Sequence, residues 1–111
     1  MVAATIEGVR VICAYFPNGQ APDSEKFVYK MRWQDALHDF VQAELARHPQ
    51  LVLMGDFNVA PDERDVWDVA ALAGGTHFTD EEHASLESLK AFGLEDCFRK
   101  HCDEGGHYTW F

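Results

Sequence analysis

The sequence predicts an α/β fold, because two strand-like segments flank one long helical segment. In the segment Val9 to Phe16, every second residue from Val9 to Tyr15 would share one face of a strand, and the other face is largely apolar as well. Leu51 to Met54 is an unbroken apolar run between a proline and a glycine. Between them, apolar residues from Ser24 to Arg47 recur at the spacing of one helix face. A strand, a long helix and a second strand form a βαβ unit, whose crossover requires the two strands to be parallel.

The first predicted element is a hairpin. Ala3 to Ile6 and Val9 to Phe16 are two strands joined by the two-residue turn Glu7-Gly8. Apolar residues occupy both faces of the second strand, so we expect both faces to be covered. Pro17-Asn18-Gly19 then ends the strand.

The long helix is predicted to stop before Pro49, because a residue that precedes proline avoids the helical conformation. Four consecutive apolar residues, Leu51 to Met54, then predict a strand that is buried on both faces. The carboxyl ends of parallel strands share one edge of a sheet, which is where open α/β sheets bind ligands. Tyr15 and the Asp56/Asn58 pair are therefore expected in the same crevice.

The C-terminal half is less regular. Val66 to Ala73 is an ambiguous apolar patch, whereas Thr79 to Glu82 is a capping box that predicts a helix ending near Gly93. Leu94 to Arg99 is interpreted as a short strand or a turn. Tyr108 to Phe111 is interpreted as the start of a further strand.

Composition limits the class of protein. The chain has 111 residues, 47% of them hydrophobic, which suits one globular domain. It contains no run of roughly 20 apolar residues and no signal-peptide pattern, so we expect a soluble cytoplasmic protein without a membrane span. Three cysteines without framework spacing suggest reduced thiols.

Charge argues against nucleic acid as a partner. The formal net charge is −10, whereas contacts with phosphate need a basic surface. The charge is uneven, however, because much of the acid lies between Asp80 and Glu104 while several basic residues lie in the first third. A metal site also needs carboxylates, so local charge matters more than the sum.

The segment Gly55 to Asn58 places an aspartate and an asparagine directly after the predicted strand, where they could serve phosphodiester hydrolysis. An aspartate directly after a buried strand can ligate Mg²⁺ or act as a base, and it is held by a rigid element. In an extended segment Asn58 would point the same way as Asp56, offering an amide donor to phosphate and an oxygen to metal. The alternative is that Asp56 and Asn58 merely form a turn.

Neighbouring residues have similar alternatives. The Tyr15 phenol can donate to a phosphate oxygen or belong to the core, and Asn18 can reach a sugar or phosphate. Lys30 and Arg32 on the helix can approach a phosphate or simply face solvent. A zinc site is disfavoured because its four candidate ligands lack the usual paired spacing; these are Cys97, His101, Cys102 and His107.

Five blocks in order resemble the exonuclease III family of the endonuclease/exonuclease/phosphatase superfamily. They cover nearly the whole chain. The blocks are Tyr15-Phe16-Pro17-Asn18-Gly19, Lys26-Phe27-x-Tyr29-Lys30-x-x-Trp33, Gly55-Asp56-Phe57-Asn58-Val59-Ala60-Pro61, Gly93-Leu94-x-Asp96-x-Phe98-Arg99 and Tyr108-Thr109-Trp110-Phe111.

The resemblance implies a DNA repair enzyme dependent on Mg²⁺, with Mn²⁺ as the alternative, that cuts 5′ to abasic sites and removes nucleotides from 3′ ends of duplex DNA. Tyr15 would lie near the scissile phosphate. Asp56 would orient or deprotonate water or help to hold metal, and Asn58 would stabilise the transition state and contribute to the metal site. Asn18 would contact DNA around the lesion, and Trp110 would line the sugar pocket.

The resemblance also implies a DNA-backbone contact for Lys30. Other residues of the family site, including an early asparagine, a metal-binding glutamate and a late Ser-Asp-His segment, have no counterpart in this sequence. The resemblance implies a two-sheet α/β sandwich more than twice this length, so residues 1–111 are interpreted as one incomplete central domain, a partial α/β sandwich that is expected to be inactive alone.

Two other hypotheses stay open. The first is a related phosphodiesterase that acts on RNA or a phospholipid head group, since the Gly-Asp-x-Asn core is shared more widely. The second is a non-catalytic α/β binding or assembly module that self-associates through open sheet edges.

Overall fold

The computed structural model describes residues 1–72 and 77–108. Within them a three-stranded sheet has the order β1-β2-β3 and is accompanied by helices. The strands are β1 (Val2–Ile6), β2 (Val9–Tyr15) and β3 (Leu51–Asp56), and the helices are α1 (Glu25–Arg47), α2 (Val69–Leu72), α3 (Asp80–Ala91) and α4 (Cys97–His101), with a 3₁₀ turn at Glu63–Asp65.

The N-terminal hairpin is confirmed. β1 and β2 are antiparallel, with Ile6 paired to Val9 across the turn. Glu7 and Gly8 both have positive φ values, 49° and 84°, as the hairpin turn that matches strand twist requires. A glutamate adopts this backbone less readily than asparagine or glycine, which is why the sequence signal at the turn is weak.

The βαβ unit is also confirmed. β2 and β3 are parallel, in a register that runs from Arg10 opposite Leu51 to Tyr15 opposite Asp56. α1 begins after Ser24, whose side chain accepts a hydrogen bond from the backbone N–H of Phe27. The helix ends at Arg47, two residues before Pro49.

The core lies on one face of the sheet. Its buried residues come from β2 and the segment after it, from α1 and from α3, so both long helices pack against the same side. The cluster consists of Ile12, Ala14, Phe16, Leu37, Val41, Leu86 and Leu89. The Phe16 ring stacks on Phe57 with their centroids 4.6 Å apart, which joins the ends of β2 and β3 through the core.

The expectation that both faces of the strands are covered was wrong for this chain. On the face opposite the helices, Tyr15 is 67% exposed, Val52 45% and Met54 48%. The physical reason is that the buried cluster, with α1 and α3, lies on the other side of the sheet. An apolar run predicts burial only if a second layer is present.

In the C-terminal half the capping box is confirmed: the Thr79 and Glu82 side chains exchange hydrogen bonds with each other's backbone N–H at the start of α3. The strand alternative for Leu94 to Arg99 was wrong, because the Asp96 carboxylate caps α4 by accepting from the backbone N–H groups of Phe98 and Arg99. The strand expected at 108–111 falls mostly on residues 109–111, which lie outside the described part. None of the described helices is long and apolar enough to cross a bilayer.

Candidate active site

The ends of β2 and β3 bring Tyr15 and Asp56 side by side. The two residues are register partners, and the backbone N–H of Phe16 donates to the carbonyl of Asp56 at 2.8 Å. Both side chains are exposed. The parallel crossover therefore places a phenol and a carboxylate at one sheet edge, as the sequence predicts.

Gly55 makes this close pairing possible. A Cβ atom at this position would lie 1.9 Å from the carbonyl oxygen of Ala14 on β2. The φ angle of Gly55 is +129°, a backbone conformation that L-residues rarely adopt. The glycine before Asp56 is therefore required by the approach of the two strands.

Asp56 and Asn58 are joined by a turn, so the expectation of an extended segment was wrong. The backbone N–H of Asn58 donates to Asp56 Oδ1 at 3.0 Å, and Asn58 has a φ of +50°. The Asn58 side chain donates from Nδ2 to the carbonyl of Phe16 at 2.6 Å. Asparagine tolerates this left-handed backbone because its short amide finds such local partners. The turn fixes the orientation of the Asp56 carboxylate.

Lys30 is completely buried, which contradicts its interpretation as a DNA-backbone contact. Its ammonium donates to the backbone carbonyls of Asn58 at 2.7 Å and Asn18 at 3.4 Å, and it forms an ion pair with the buried carboxylate of Glu82. A phosphate cannot reach a side chain in this position. The sequence interpretation failed because Lys30 lies on the inward side of α1. Its ion-pair partner, Glu82, is 52 positions away along the chain, so local spacing does not reveal the pair.

The sequence did not predict two of the residues that lie at the site, His77 and Glu82. His77 lies beside the turn, with its Nδ1 atom 2.6 Å from the carbonyl oxygen of Asn58. Glu82 accepts from the backbone N–H of His77 at 3.0 Å as well as from Lys30. The capping box identified Glu82 as a helix-start residue, but local spacing gives no sign that its carboxylate reaches the turn.

A cavity of about 390 Å³ opens beside Asp56. Its walls come from the turn after β3, the following loop and the segment before α3, and include Asp56, Asn58, Asp65, His77 and Phe78. Of its two carboxylates, Asp65 is held by Arg99 at 2.8 Å. Asp56 is the carboxylate that faces solvent.

The remaining predicted residues have different positions. Asn18 is exposed in the loop after β2, and its Oδ1 accepts from the backbone N–H of Gln20 at 3.1 Å. Arg32 is exposed on α1. Trp110 lies outside the described residues.

The donor set fits only part of a cation site. Asp56 offers a hard carboxylate oxygen of the kind that Mg²⁺ prefers. In the described ranges 1–72 and 77–108, however, no group of three or more histidine, cysteine, aspartate or glutamate side chains is arranged to hold a metal ion. The four candidate zinc ligands near the C-terminus are among the described residues, and no three of them are grouped in this way. A cation at Asp56 would need further ligands from elsewhere.

The loop that forms the cavity wall is held by charge pairs. The Arg64 guanidinium hydrogen-bonds Asp62 and holds the pKa of that carboxyl at about 2, below its usual 3.8. Arg99 joins Asp65 to the carbonyls of Cys102 and Glu104. These pairs connect the segment after the turn to the residues that follow α4.

The described residues form part of an α/β fold in which Tyr15 and Asp56 share one sheet edge. The chain belongs to the Endonuclease/Exonuclease/phosphatase family, whose family model matches residues 2–111. Within that family it corresponds to part of the exonuclease III type. It is 30% identical to an exodeoxyribonuclease of Bacillus subtilis over 112 residues, an alignment that covers all of this chain and 44% of the relative.

Three solved structures also resemble this chain. A 3′-5′ exonuclease (NExo) from Neisseria meningitidis superposes with a TM-score of 0.95 at 46% identity, over 98% of this chain and 43% of that one. A 3′ phosphatase NExo from Neisseria bound to a product DNA hairpin gives 0.95 at 45% identity, over 98% and 42%. An AP endonuclease from Archaeoglobus fulgidus gives 0.82 at 32% identity, over 88% and 38%. The chain thus spans less than half the length of these relatives.

Proposed function

We propose that the protein containing this chain is a Mg²⁺-dependent phosphoesterase that hydrolyses the 3′ ends of duplex DNA. The observation that carries the proposal is the placement of Tyr15 beside Asp56, with the carboxylate held by the Asn58 turn. The two similar structures of highest identity named above are described as a 3′-5′ exonuclease and a 3′ phosphatase with product DNA. Both activities attack a phosphoester at a 3′ end.

Each side chain has a distinct role in this proposal. Asp56 Oδ1 accepts the Asn58 N–H, so the carboxylate is directed to orient water, take its proton or ligate the cation. The Tyr15 phenol donates to a phosphate oxygen as charge develops there. Asn58 keeps a second Nδ2–H for phosphate and an acyl oxygen for metal. A bound Mg²⁺ would supply positive charge to the phosphoryl oxygens.

Asn18 and Trp110 are proposed to contact DNA, Asn18 from the exposed loop after β2 and Trp110 near the sugar. Because the described residues do not hold a complete metal site, we propose that the isolated 111-residue chain is inactive. Activity therefore has to be measured on the full natural protein.

The test is Asp56→Asn, assayed in Mg²⁺ on a duplex with a recessed 3′ hydroxyl and on one with a 3′ phosphate. Loss of general-base or ligand chemistry should lower kcat/KM by about 10²- to 10⁴-fold on both substrates. Asp35→Asn, an exposed carboxylate on α1, is the matched control and should keep the parent rate. Unchanged turnover in Asp56→Asn would refute the assignment.

Incision at abasic sites is the second candidate, favoured by the similarity to the Archaeoglobus fulgidus AP endonuclease at lower identity. A duplex with one internal abasic site should be cut more slowly than a 3′ phosphate is removed. Faster abasic incision would reverse the order of the two activities. Hydrolysis of a phospholipid head group at a rate equal to that of DNA would instead favour another branch of the superfamily.

Self-association is a separate proposal. β1 and β3 are the outer strands of the sheet formed by the described residues, and one sheet face is exposed. Unpaired strand edges favour pairing with another chain. A purely monomeric mass for the 111-residue chain in multi-angle light scattering would count against it.

A further inference from the structure

The most completely buried charges of the described residues lie directly beneath the candidate site. Lys30 on α1 and Glu82 on α3 form an ion pair in which both side chains have 0% exposure. Taking two charges out of water is costly, and apolar pairs of similar size are often as stable. The pair is therefore poorly explained as a stabilising contact, and its position suggests another role.

The Lys30 ammonium holds both loops that follow the strands of the βαβ unit. Its hydrogen bonds to the carbonyls of Asn18 and Asn58 join the segment after β2 to the turn after β3. An ammonium is a strong donor in a dry environment, so these contacts restrict the two loops at the edge where Tyr15 and Asp56 lie.

Glu82 fixes the ammonium in turn. Its carboxylate accepts from the N–H of His77 at 3.0 Å, and from the N–H and hydroxyl of Thr79 at 3.2 and 2.9 Å. These bonds and the ion pair with Lys30 satisfy the carboxylate and place it at the start of α3, a rigid element. The pair thus connects the loops to α1 and α3 together.

We propose that Lys30 and Glu82 are positioning residues for the hydrolytic site. Two hydrogen bonds connect the buried pair to Asp56. The Lys30 ammonium donates to the Asn58 carbonyl, and the Asn58 backbone N–H donates to Asp56 Oδ1. The left-handed Asn58 turn is held at both its N–H and its carbonyl, so the direction of the Asp56 carboxylate depends on the buried pair. This inference rests on the proposed hydrolase function.

The experiment uses the double variant Lys30→Met/Glu82→Gln in the full natural protein. It removes both buried charges together, which avoids an unpaired carboxylate, and glutamine keeps an acceptor for the α3 cap. Misplacing a catalytic group by about 1 Å can lower a rate by about 10²-fold. We expect kcat to fall by at least about tenfold and KM to change less, because the Lys30 ammonium bonds the backbone carbonyls of Asn18 and Asn58 rather than the side chains proposed to contact DNA.

The matched control is Lys100→Met/Glu95→Gln, which removes an ion pair exposed on the surface and should leave kcat unchanged. A second readout does not depend on activity. In NMR spectra, the backbone and Nδ2 amide resonances of Asn58 should shift and exchange faster with solvent in the Lys30/Glu82 variant only.

Unchanged Asn58 resonances together with an unchanged kcat would overturn the positioning role. If the parent protein hydrolyses no DNA substrate, the proposed function fails, and the Asn58 resonances alone still decide whether the buried pair holds the turn. If the double variant does not fold, the variant Lys30→Gln/Glu82→Gln, which removes both charges but keeps a polar side chain at each position, is measured in the same way. Parent values of kcat and of the Asn58 resonances would then overturn the proposal.

Discussion

Gly55→Ala tests whether β2 and β3 can approach each other at the site only because glycine has no Cβ atom. The new Cβ would lie 1.9 Å from the Ala14 carbonyl oxygen, whereas real Cβ contacts are essentially never shorter than 3.0 Å. The strands must therefore move apart by roughly 1 Å, which resembles overpacking of a core and costs about 1–3 kcal/mol. The positive φ adds a backbone cost of about 1–3 kcal/mol.

The total expected loss in the free energy of unfolding is thus about 2–6 kcal/mol for Gly55→Ala. Gly93→Ala is the matched control, because Gly93 has a φ of +109° and nothing within 4 Å of its added Cβ. It should show only the backbone cost. Urea unfolding followed by tryptophan fluorescence measures both variants, with Trp33 packed against the Phe16 ring as a core reporter.

The difference between the two variants isolates the steric term and should be about 1–3 kcal/mol. Equal losses would mean that β2 and β3 accommodate the methyl group without separating, and the requirement for glycine before Asp56 would be refuted. In the full natural protein, Gly55→Ala should also lower kcat, because the same displacement separates Tyr15 from Asp56.

Two further predictions concern stability. The pKa of Asp62 is depressed to about 2 from 3.8, so the stabilisation by Arg64 should be complete above about pH 4 and disappear as the pH falls toward 2. The difference in unfolding free energy between the parent and Arg64→Met should therefore narrow over that interval, and a constant difference would contradict the assignment. Ile12→Ala, at a fully buried core position, should cost about 2–5 kcal/mol, while Ile6→Ala at an exposed position should change stability by less than about 0.5 kcal/mol in urea unfolding.

The elements of this fold could be predicted from sequence where local chemistry determines them. The 3.6-residue spacing before Pro49 predicts α1, and the apolar run after it predicts β3. The Thr79 to Glu82 capping box predicts the start of α3. Each signal depends on residues only a few positions apart, so the surrounding fold does not need to be known. The parallel pairing of Tyr15 with Asp56 then follows from the crossover rule.

Burial could not be predicted in the same way. Apolar residues on both faces of β2 and β3 suggest two covering layers, but α1 and α3 pack on a single face. Lys30 illustrates the converse error, because a lysine on a helix is usually solvated. Its burial is tolerated only because a carboxylate 52 positions away along the chain completes the ion pair.

The sequence by itself determined the βαβ unit and the aspartate at its strand end, because periodicity, turn residues and caps act over a few residues. Only the tertiary structure decided what surrounds that aspartate. The left-handed Asn58 turn is held by hydrogen bonds to Phe16, Lys30 and His77, which lie 42, 28 and 19 positions away along the chain. Partners at such separations meet only after the helices have packed on the sheet, so the geometry of the site is a property of the folded chain.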